Sequence, residues 1–312
     1  MKPAFSVIFL TTLIGAGQGL FMALYALEMA ARQRMLESPE PRFFVAGAVL
    51  AVVLSSLGLL ASFFHLGHPE RAWRAAAKWR TSWLSREVLA LPAFIGGVFV
   101  YGVAHAYAWA AAPWMGLLAL VACLALFVCT GMVYACLRFL QEWASPLTLV
   151  NFFLLGAASG CTLAAALAAW LAPQSLALCA EAAIVLTAAA LAGRAASLAR
   201  NAQLRPKSSL QTAIGIRHTQ IVQKAQGFMG GSFNTREFFH GASKAKLHAI
   251  KWTFLLLTFP VPVLLLAAGL GSGARGAFAL AFAVQYAGLL AERWYFFAQA
   301  NHPQNLYYQA IS

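Results

Sequence analysis

The sequence predicts an all-α integral membrane protein, a single bundle of eight transmembrane helices over residues 1–312. Hydrophobic residues make up 61% of the chain and charged residues only 10%, whereas a soluble domain carries roughly 25% charged residues. The apolar residues are gathered into eight runs, and a membrane-spanning helix needs about 20 of them. Lysine and arginine flank these runs instead of forming a separate basic module, which argues against nucleic acid as a partner.

The eight predicted spans follow the apolar runs in chain order. They cover residues 4–27, 43–64, 87–112, 114–137, 146–171, 176–193, 252–270 and 276–293. The first run is too long and too apolar for a signal peptide, so we interpret it as a retained span. Pro260 and Pro262 should kink the seventh span, because proline lacks a backbone N–H. The longest connection, 194–251, is predicted to be a polar loop.

The distribution of lysine and arginine predicts the orientation in the membrane. With eight spans, both termini share one side with the 65–86 and 194–251 segments, and that side holds 18 of the 22 basic residues. The positive-inside rule places this side in the cytoplasm. A basic face that docks an acidic partner would produce the same asymmetry. The net charge of +13 therefore indicates a cytoplasmic membrane surface, an acidic partner, or both.

The stretch from 63 to 87, FFHLGHPERAWRAAAKWRTSWLSRE, is predicted to lie at the cytoplasmic interface, because tryptophan and arginine alternate there. It brings His65 and Glu87 to one membrane surface. His65 is either a helix-end anchor or a proton acceptor for a quinol, since histidine titrates near neutral pH. Glu87 is either a favourable helix-start residue or a second proton acceptor. Ser85 is a candidate cap for the third span.

The histidines and cysteines do not have the spacing of a haem or iron–sulfur site. His105 lies 18 residues beyond Glu87, about 27 Å deeper along a helix, so it cannot share an iron with His65. The five cysteines all fall inside apolar runs, without a C-x-x-C pair, although cluster binding needs grouped thiolates. We therefore expect this chain to bind neither haem nor an iron–sulfur cluster.

The long loop contains GFMGGSFNTREFFHG at 227–241, which is too aromatic for a disordered linker and lacks a phosphate-binding pattern. Its phenylalanines are candidate apolar anchors of a docking surface.

Three motifs carry a family resemblance: HLGHPERAW at 65–73, SWLSRE at 82–87 and AGLLAERWYFF at 287–297. Together with eight spans, they resemble the DmsC-type membrane anchors of molybdenum oxidoreductases. The GGSFNTREFFHG segment looks more like the SoeC-type anchors of the cytoplasmic sulfite-oxidising branch. The resemblance implies a protein of the bacterial inner membrane that passes electrons between the quinone pool, ubiquinone or menaquinone, and an iron–sulfur partner. That partner would connect to a molybdopterin catalytic subunit on the cytoplasmic face.

The resemblance also implies roles for individual residues. His65 would be the histidine of the quinone site, Glu87 the family acid, and Arg71 the arginine of the motif. Arg71 would face the iron–sulfur partner or a quinone oxygen, or it would serve only as a cytoplasmic anchor. With Ser85, these residues form the predicted quinone site. Substrate chemistry would take place in the molybdopterin partner.

Three other functions remain open from the sequence. The first is the anchor of a dimethyl sulfoxide reductase-like complex that oxidises quinol. The second is a passive scaffold that tethers an enzyme without touching quinone. The third is a secondary transporter, although its usual broken helices and midplane polar groups are represented here mainly by Pro260 and Pro262.

Overall fold

The computed structural model describes residues 1–64, 66–222, 238–303 and 305, and all regular structure within these ranges is helical. Seven helical segments there are long and apolar enough to cross a membrane. They are Phe5–Arg32, Pro41–Phe63, Trp83–Ala106, Ala112–Ala135, Pro146–Leu171, Pro173–Ala202 and Lys244–Ser272. The chain is therefore a multi-pass membrane protein.

The helices are numbered in chain order as follows: α1 (Phe5–Arg32), α2 (Pro41–Phe63), α3 (Trp83–Ala106), α4 (Ala112–Ala135), α5 (Pro146–Leu171), α6 (Pro173–Ala202), α7 (Leu210–Ile214), α8 (Lys244–Thr258), α9 (Pro260–Ser272) and α10 (Gly276–Ala298). A 3-10 helix, Pro69–Lys78, connects α2 to α3. Helix α10 coincides with the eighth predicted span. It contains Gln285, Glu292 and Arg293, which make it less apolar than the seven candidate spans.

Helix α6 is longer than its apolar run, because it continues through Ala202. The sequence alone places Arg194 at the start of a polar loop. In the structure, Arg194 is inside the helix and only 1% exposed. A buried partner, Glu292 of α10, lies 2.8 Å from its Nε atom, so this arginine does not mark a helix end.

The predicted kink at the two prolines is confirmed as a break between α8 and α9. Helix α8 ends at Thr258, and α9 begins with Pro260 in its first turn, where the missing N–H is tolerated. Pro262 has no N–H to donate to the Thr258 carbonyl four residues earlier. Gln285 of α10 donates its Nε2 hydrogen to that carbonyl at 3.2 Å, so the break is stabilised from the neighbouring helix.

The centre of the bundle is a glycine contact between α1 and α5. A Cβ atom added to Gly19 would overlap the Gly156 carbonyl oxygen, and one added to Gly160 would overlap the Gly19 backbone. Close backbone approach of this kind is a major means of helix association in lipid. The α1 helix packs on α2 as well, and Gly17 faces Ser55 and Ala51 there.

Successive spanning helices run in opposite directions, which defines two ends of the bundle. We call one of them the Glu87 end, because α3 begins there together with α1 and α5, while α2, α4 and α6 finish there. The other is the Glu28 end, where α1 and α3 finish and α2 and α4 begin. Residues from different helices line a shared cavity at each end, which agrees with this arrangement.

Candidate functional site

The first turn of α3 carries Glu87 into the bundle. The helix begins at Trp83, and the Ser82 side chain accepts a hydrogen bond from the Ser85 backbone N at 3.4 Å. Ser82 is thus the cap, and the prediction that Ser85 caps this helix is wrong. The Ser85 side chain lies one turn inside and is buried. Glu87 follows on the side of α3 that faces α4.

The Glu87 carboxyl is held by one strong hydrogen bond. The Thr130 hydroxyl of α4 donates to Glu87 Oε1 at 2.6 Å, and Thr130 itself is buried. This distance is at the short end of the range for an O–H···O hydrogen bond. The bond fixes the carboxyl between α3 and α4 and leaves its second oxygen to other partners.

A small cavity lies beside Glu87 in the interior of the bundle. Its volume is about 10 Å³, and α1, α3, α4 and α5 supply its walls. The lining residues are Leu10, Thr11, Ile14, Gly15, Gln18, Glu87, Phe127, Thr130 and Phe152. This volume holds about one water molecule. A quinone ring therefore does not fit inside the bundle at this point, whereas a proton-carrying water does.

The segment before α3 is tied to the first turn of that helix by Arg86. Its Nε donates to the Trp79 carbonyl at 2.9 Å, and its Nη2 donates to the Arg80 carbonyl at 2.8 Å. The Arg86 guanidinium also covers the Trp83 ring at 4.3 Å. These contacts hold the segment before α3, residues 66–82, which we call the interfacial segment, close to the start of that helix. The segment lies outside the bundle, whereas Glu87 points into it.

The two remaining residues of the predicted site are His65 and Arg71. His65 lies outside the described residues, so its role stays a prediction. The Arg71 side chain is more than half exposed on the 3-10 helix, 3.6 Å from the Glu70 carboxyl. Glu70 also lies 3.0 Å from His68. Arg71 therefore belongs to the surface of the interfacial segment and not to the Glu87 cavity.

A second group of charges lies near this end of the bundle, and the sequence revealed it only in part. Arg194 Nε lies 2.8 Å from Glu292 Oε1, and Arg293 Nη1 lies 3.4 Å from Glu292 Oε2. We call these three residues the buried ion cluster; none of their side chains is more than 5% exposed. Two guanidiniums share one carboxylate, so the cluster carries a net positive charge.

The buried ion cluster is connected to the Glu87 cavity through aromatic rings. The Arg293 guanidinium lies 3.7 Å from the centre of the Phe152 ring, and Phe152 lines the cavity. Tyr134 stacks on Phe152 and lies within electrostatic reach of both Glu87 and Arg293. Glu292 and Arg293 adjoin in the motif at 287–297. Arg194 was missed, because its partner is 98 residues away.

Two comparisons with known proteins gave matches that cover most or all of the chain. The model of the family described as DMSO reductase anchor subunit (DmsC) matches residues 1–268. The chain is also 53% identical to a subunit of the sulfite dehydrogenase of Allochromatium vinosum over 325 aligned residues, which cover 100% of both chains. This chain belongs to the DmsC family.

The two matches cover different parts of this DmsC-family chain. The family match ends at 268, so it includes Glu87 and Arg194 but not α10. The Allochromatium relative aligns over the whole length and so covers Glu292 and Arg293 as well. Within the residues that the structure describes, no three histidine, cysteine, aspartate or glutamate side chains gather as metal ligands.

Proposed function

We propose that this chain is the membrane anchor and quinone-reactive subunit of a sulfite-oxidising complex. The observation that carries the proposal is the 53% identity, over the full length of both chains, to a protein that is itself a sulfite dehydrogenase subunit. The partners would be an iron–sulfur electron-transfer subunit and a molybdopterin catalytic subunit. Sulfite would be oxidised in the catalytic subunit, and this chain would deliver the electrons to ubiquinone or menaquinone in the bacterial cytoplasmic membrane.

The proposed topology has eight spans, with α10 as the last and both termini in the cytoplasm. Helix α10 has 23 residues, about 35 Å at 1.5 Å per residue, which is enough for a hydrocarbon core of about 30 Å. It packs along α5, α8 and α9, and its polar residues face the interior. The excess of lysine and arginine at the Glu87 end supports a cytoplasmic position for that end.

The proposed role of Glu87 is proton transfer. Reduction of one quinone takes up two electrons and two protons, so the site needs groups that deliver protons to the ring oxygens. Glu87 would hand over a proton through its second oxygen, with the Thr130 hydroxyl orienting the carboxyl and one water relaying from the cavity. His65 would serve the other proton. Arg71 and Ser85 remain proposed contacts of the same site.

The size of the Glu87 cavity limits where the quinone binds. Since the interior space holds about one water molecule, the ring would approach from the lipid side, between the interfacial segment and the start of α3. Phe64, which follows α2 just before the interfacial segment, is 83% exposed on this path. The net positive charge of the buried ion cluster would favour negative charge that develops at the site.

The proposed docking face for the iron–sulfur partner is the basic surface at the Glu87 end. The 227–241 segment proposed as an apolar anchor lies mostly outside the described residues. Its described end is tied to the C-terminal tail, because Phe238 stacks on His302 at 3.9 Å and Asn305 donates to the Phe238 carbonyl at 3.2 Å. A docked partner would therefore contact the loop and the tail together.

The test compares two electron acceptors in the purified complex. We expect Glu87→Gln and His65→Ala to leave sulfite oxidation with a soluble artificial acceptor unchanged and to lower turnover with a quinone at least tenfold. Glu37→Gln, an exposed carboxylate at the Glu28 end, is the matched control and should leave both rates unchanged. Unaltered quinone turnover in both site variants would make the chain a passive scaffold.

A second candidate function is supported by the family description itself. The matching family is named for an anchor of DMSO reductase, which would place the chain in a complex that oxidises quinol. The purified complex separates the two: sulfite-dependent quinone reduction supports the first proposal. Quinol-dependent reduction of dimethyl sulfoxide, without sulfite activity, would replace it with the second.

A further inference from the structure

The Glu28 end of the bundle contains a second group of titratable residues, remote from the site proposed above. Helix α1 supplies Glu28 and Arg32, and α3 supplies Tyr101 and His105. His105 follows Glu87 by 18 residues on the same helix, a separation of about 27 Å. The group is thus near the opposite membrane surface and takes no direct part in chemistry at Glu87.

The carboxyl of Glu28 is the centre of this group. Its residue is only 5% exposed. Arg32 Nε donates to Oε1 at 3.2 Å from one turn further along α1. His105 Nε2 lies 3.5 Å from Oε2, with 12% of the histidine side chain exposed. An imidazolium at that distance forms an ion pair with the carboxylate, whereas a neutral imidazole does not.

Aromatic rings hold His105 in place. The Phe44 ring of α2 stacks on the imidazole at 4.5 Å, and the Tyr101 ring meets it edge-on at 4.6 Å. Packing on two sides fixes the ring plane, so its nitrogen stays directed at Glu28. The imidazole therefore has a defined orientation without depending on a strong hydrogen bond.

A water-accessible cavity opens onto the same atoms. Its volume is about 270 Å³, space for several water molecules. Its lining consists of Glu28, Ala31, Arg32, Ser38, Pro39, Pro41, Phe44 and His105. The connection between α1 and α2 covers it, and Arg34 in this connection has a positive φ of 58°. Glu28 and His105 thus lie between the protein interior and the solution at this end.

Three polar atoms of the group lack a well-aligned hydrogen bond within the described part of the chain: Glu28 Oε2, His105 Nε2 and the Tyr101 hydroxyl. Groups buried in this way are normally satisfied by protein or by ordered water. Here they converge on one point beside the cavity. The arrangement suits a small hydrogen-bonding species that arrives from the cavity.

We propose that Glu28 and His105 form a proton-exchange site open to the solution at the Glu28 end. A hydronium ion in the cavity gives its proton to His105 Nε2 and remains there as water, and the imidazolium then pairs with Glu28 Oε2. On release, the proton passes from Nε2 to a cavity water, which leaves as hydronium. Arg32 holds the other carboxylate oxygen in both states. The site lies on the side opposite the proposed quinone reaction and does not depend on it.

The charged and titratable neighbours leave histidine as the group that exchanges the proton. On α1 these are Tyr25, whose hydroxyl donates to the Pro113 carbonyl of α4 at 3.3 Å, and Arg32. On α3 the neighbour is Tyr101. The nearby Glu40 and Arg42 pair with each other at 2.7 Å on the exposed surface. The Tyr25 hydroxyl is engaged with a carbonyl and Arg32 with the other oxygen of Glu28, which leaves the imidazole as the proton acceptor beside the cavity.

The experiment is a pH titration of the complete protein in lipid nanodiscs, followed by infrared difference spectroscopy with ¹⁵N-labelled histidine. We expect His105→Gln to remove one histidine transition that is present in the unaltered protein. Glu28→Gln should move the midpoint of that transition to lower pH and weaken proton binding about tenfold. Glu28→Asp, whose carboxylate is drawn back from Nε2 by one methylene, should move the midpoint part of the way in the same direction. Glu37→Gln is the control, an exposed carboxylate at the same end.

Two results would overturn the proposal. One is a titration curve in the His105→Gln protein that superimposes on that of the unaltered protein. The other is a histidine midpoint that is the same with Glu28, with aspartate and with glutamine. If the glutamine variants fail to fold, Glu28→Asp decides alone: it keeps the charge and shortens the side chain, so an unmoved midpoint in this variant also refutes the pairing.

Discussion

Removing the carboxylate from the buried ion cluster should be among the most destabilising single changes in this protein. Glu292 is 1% exposed and lies 2.8 Å from one guanidinium and 3.4 Å from another. Glutamine at this position keeps the shape but leaves Arg194 and Arg293 buried without a counter-charge. Breaking a buried ion pair by removing one partner costs about 3–5 kcal/mol, so we expect a loss of this size for Glu292→Gln.

The free energy of unfolding can be measured by titrating the protein in mild-detergent micelles with sodium dodecyl sulfate and recording helix content. Glu37→Gln is the matched control, because Glu37 is an exposed carboxylate in the connection between α1 and α2, outside the spanning helices. Its effect should stay within about 0.5 kcal/mol. The double variant Arg194→Gln/Glu292→Gln removes one guanidinium together with the carboxylate. It should therefore be more stable than the sum of the single effects predicts.

The same measurement contains the result that would refute the reasoning. If Glu292→Gln costs less than about 1 kcal/mol, the carboxylate does not neutralise the two arginines in the folded protein. If the losses of unfolding free energy in the two single variants simply add in the double variant, Arg194 and Glu292 are not energetically coupled. Their proximity then does not contribute to the packing of α6 against α10.

Three further predictions concern the hydroxyl at the site, the glycine contact and the tail. Thr130→Val removes the hydrogen bond to the Glu87 carboxyl, a bond worth about 0.5–1.5 kcal/mol, so quinone turnover should fall severalfold. Thr130→Ser should restore it, and equal rates in the two variants would contradict the role of the hydroxyl. Gly160→Ala should lower the free energy of unfolding by about 1–3 kcal/mol, whereas Gly96→Ala, which faces open space, should not. Burial, followed by the N-terminal charge, lowers the pKa of His302 below its usual value. The neutral imidazole therefore stabilises the folded tail fully above the unfolded pKa of about 6.5. This stabilisation is lost as pH falls through the folded pKa. The protection of tail amides from hydrogen exchange, taken relative to the intrinsic rate at each pH, should thus fall on acidification. His302→Phe, which keeps the ring stack on Phe238, should abolish that fall.

Much of the helix pattern follows from local features of the sequence. The start of α5 at Pro146 was predicted correctly, because proline is favoured in the first turn of a helix. The break at Pro260 was predicted for the complementary reason, since proline cannot donate inside a helix. Both features depend on the residue itself and its immediate neighbours, so no knowledge of the fold was needed.

The features that escaped prediction depend on distant partners. The sequence places Arg194 at a helix end, because a lone arginine in an apolar run is costly until Glu292 is known to face it. The candidate acid Glu87 was visible in the sequence, but the size of the cavity beside it was not. That space is set by four helices at once, including Gly15 of α1. Thr130 was overlooked for the same reason, since a threonine in a span has no distinctive pattern.

The glycine contact between α1 and α5 has a consequence for biosynthesis. Gly160 enters the membrane 141 residues after Gly19, since synthesis runs from the N-terminus at about 5–20 residues per second, a delay on the order of ten seconds. During that interval α5 does not yet cover the glycine face of α1, and the glycines have no side chains that would keep another helix away. Another passing helix with small residues would fit there equally well. Insertion of this chain therefore includes a waiting period in which a wrong helix can take the place of α5, and slower translation lengthens it.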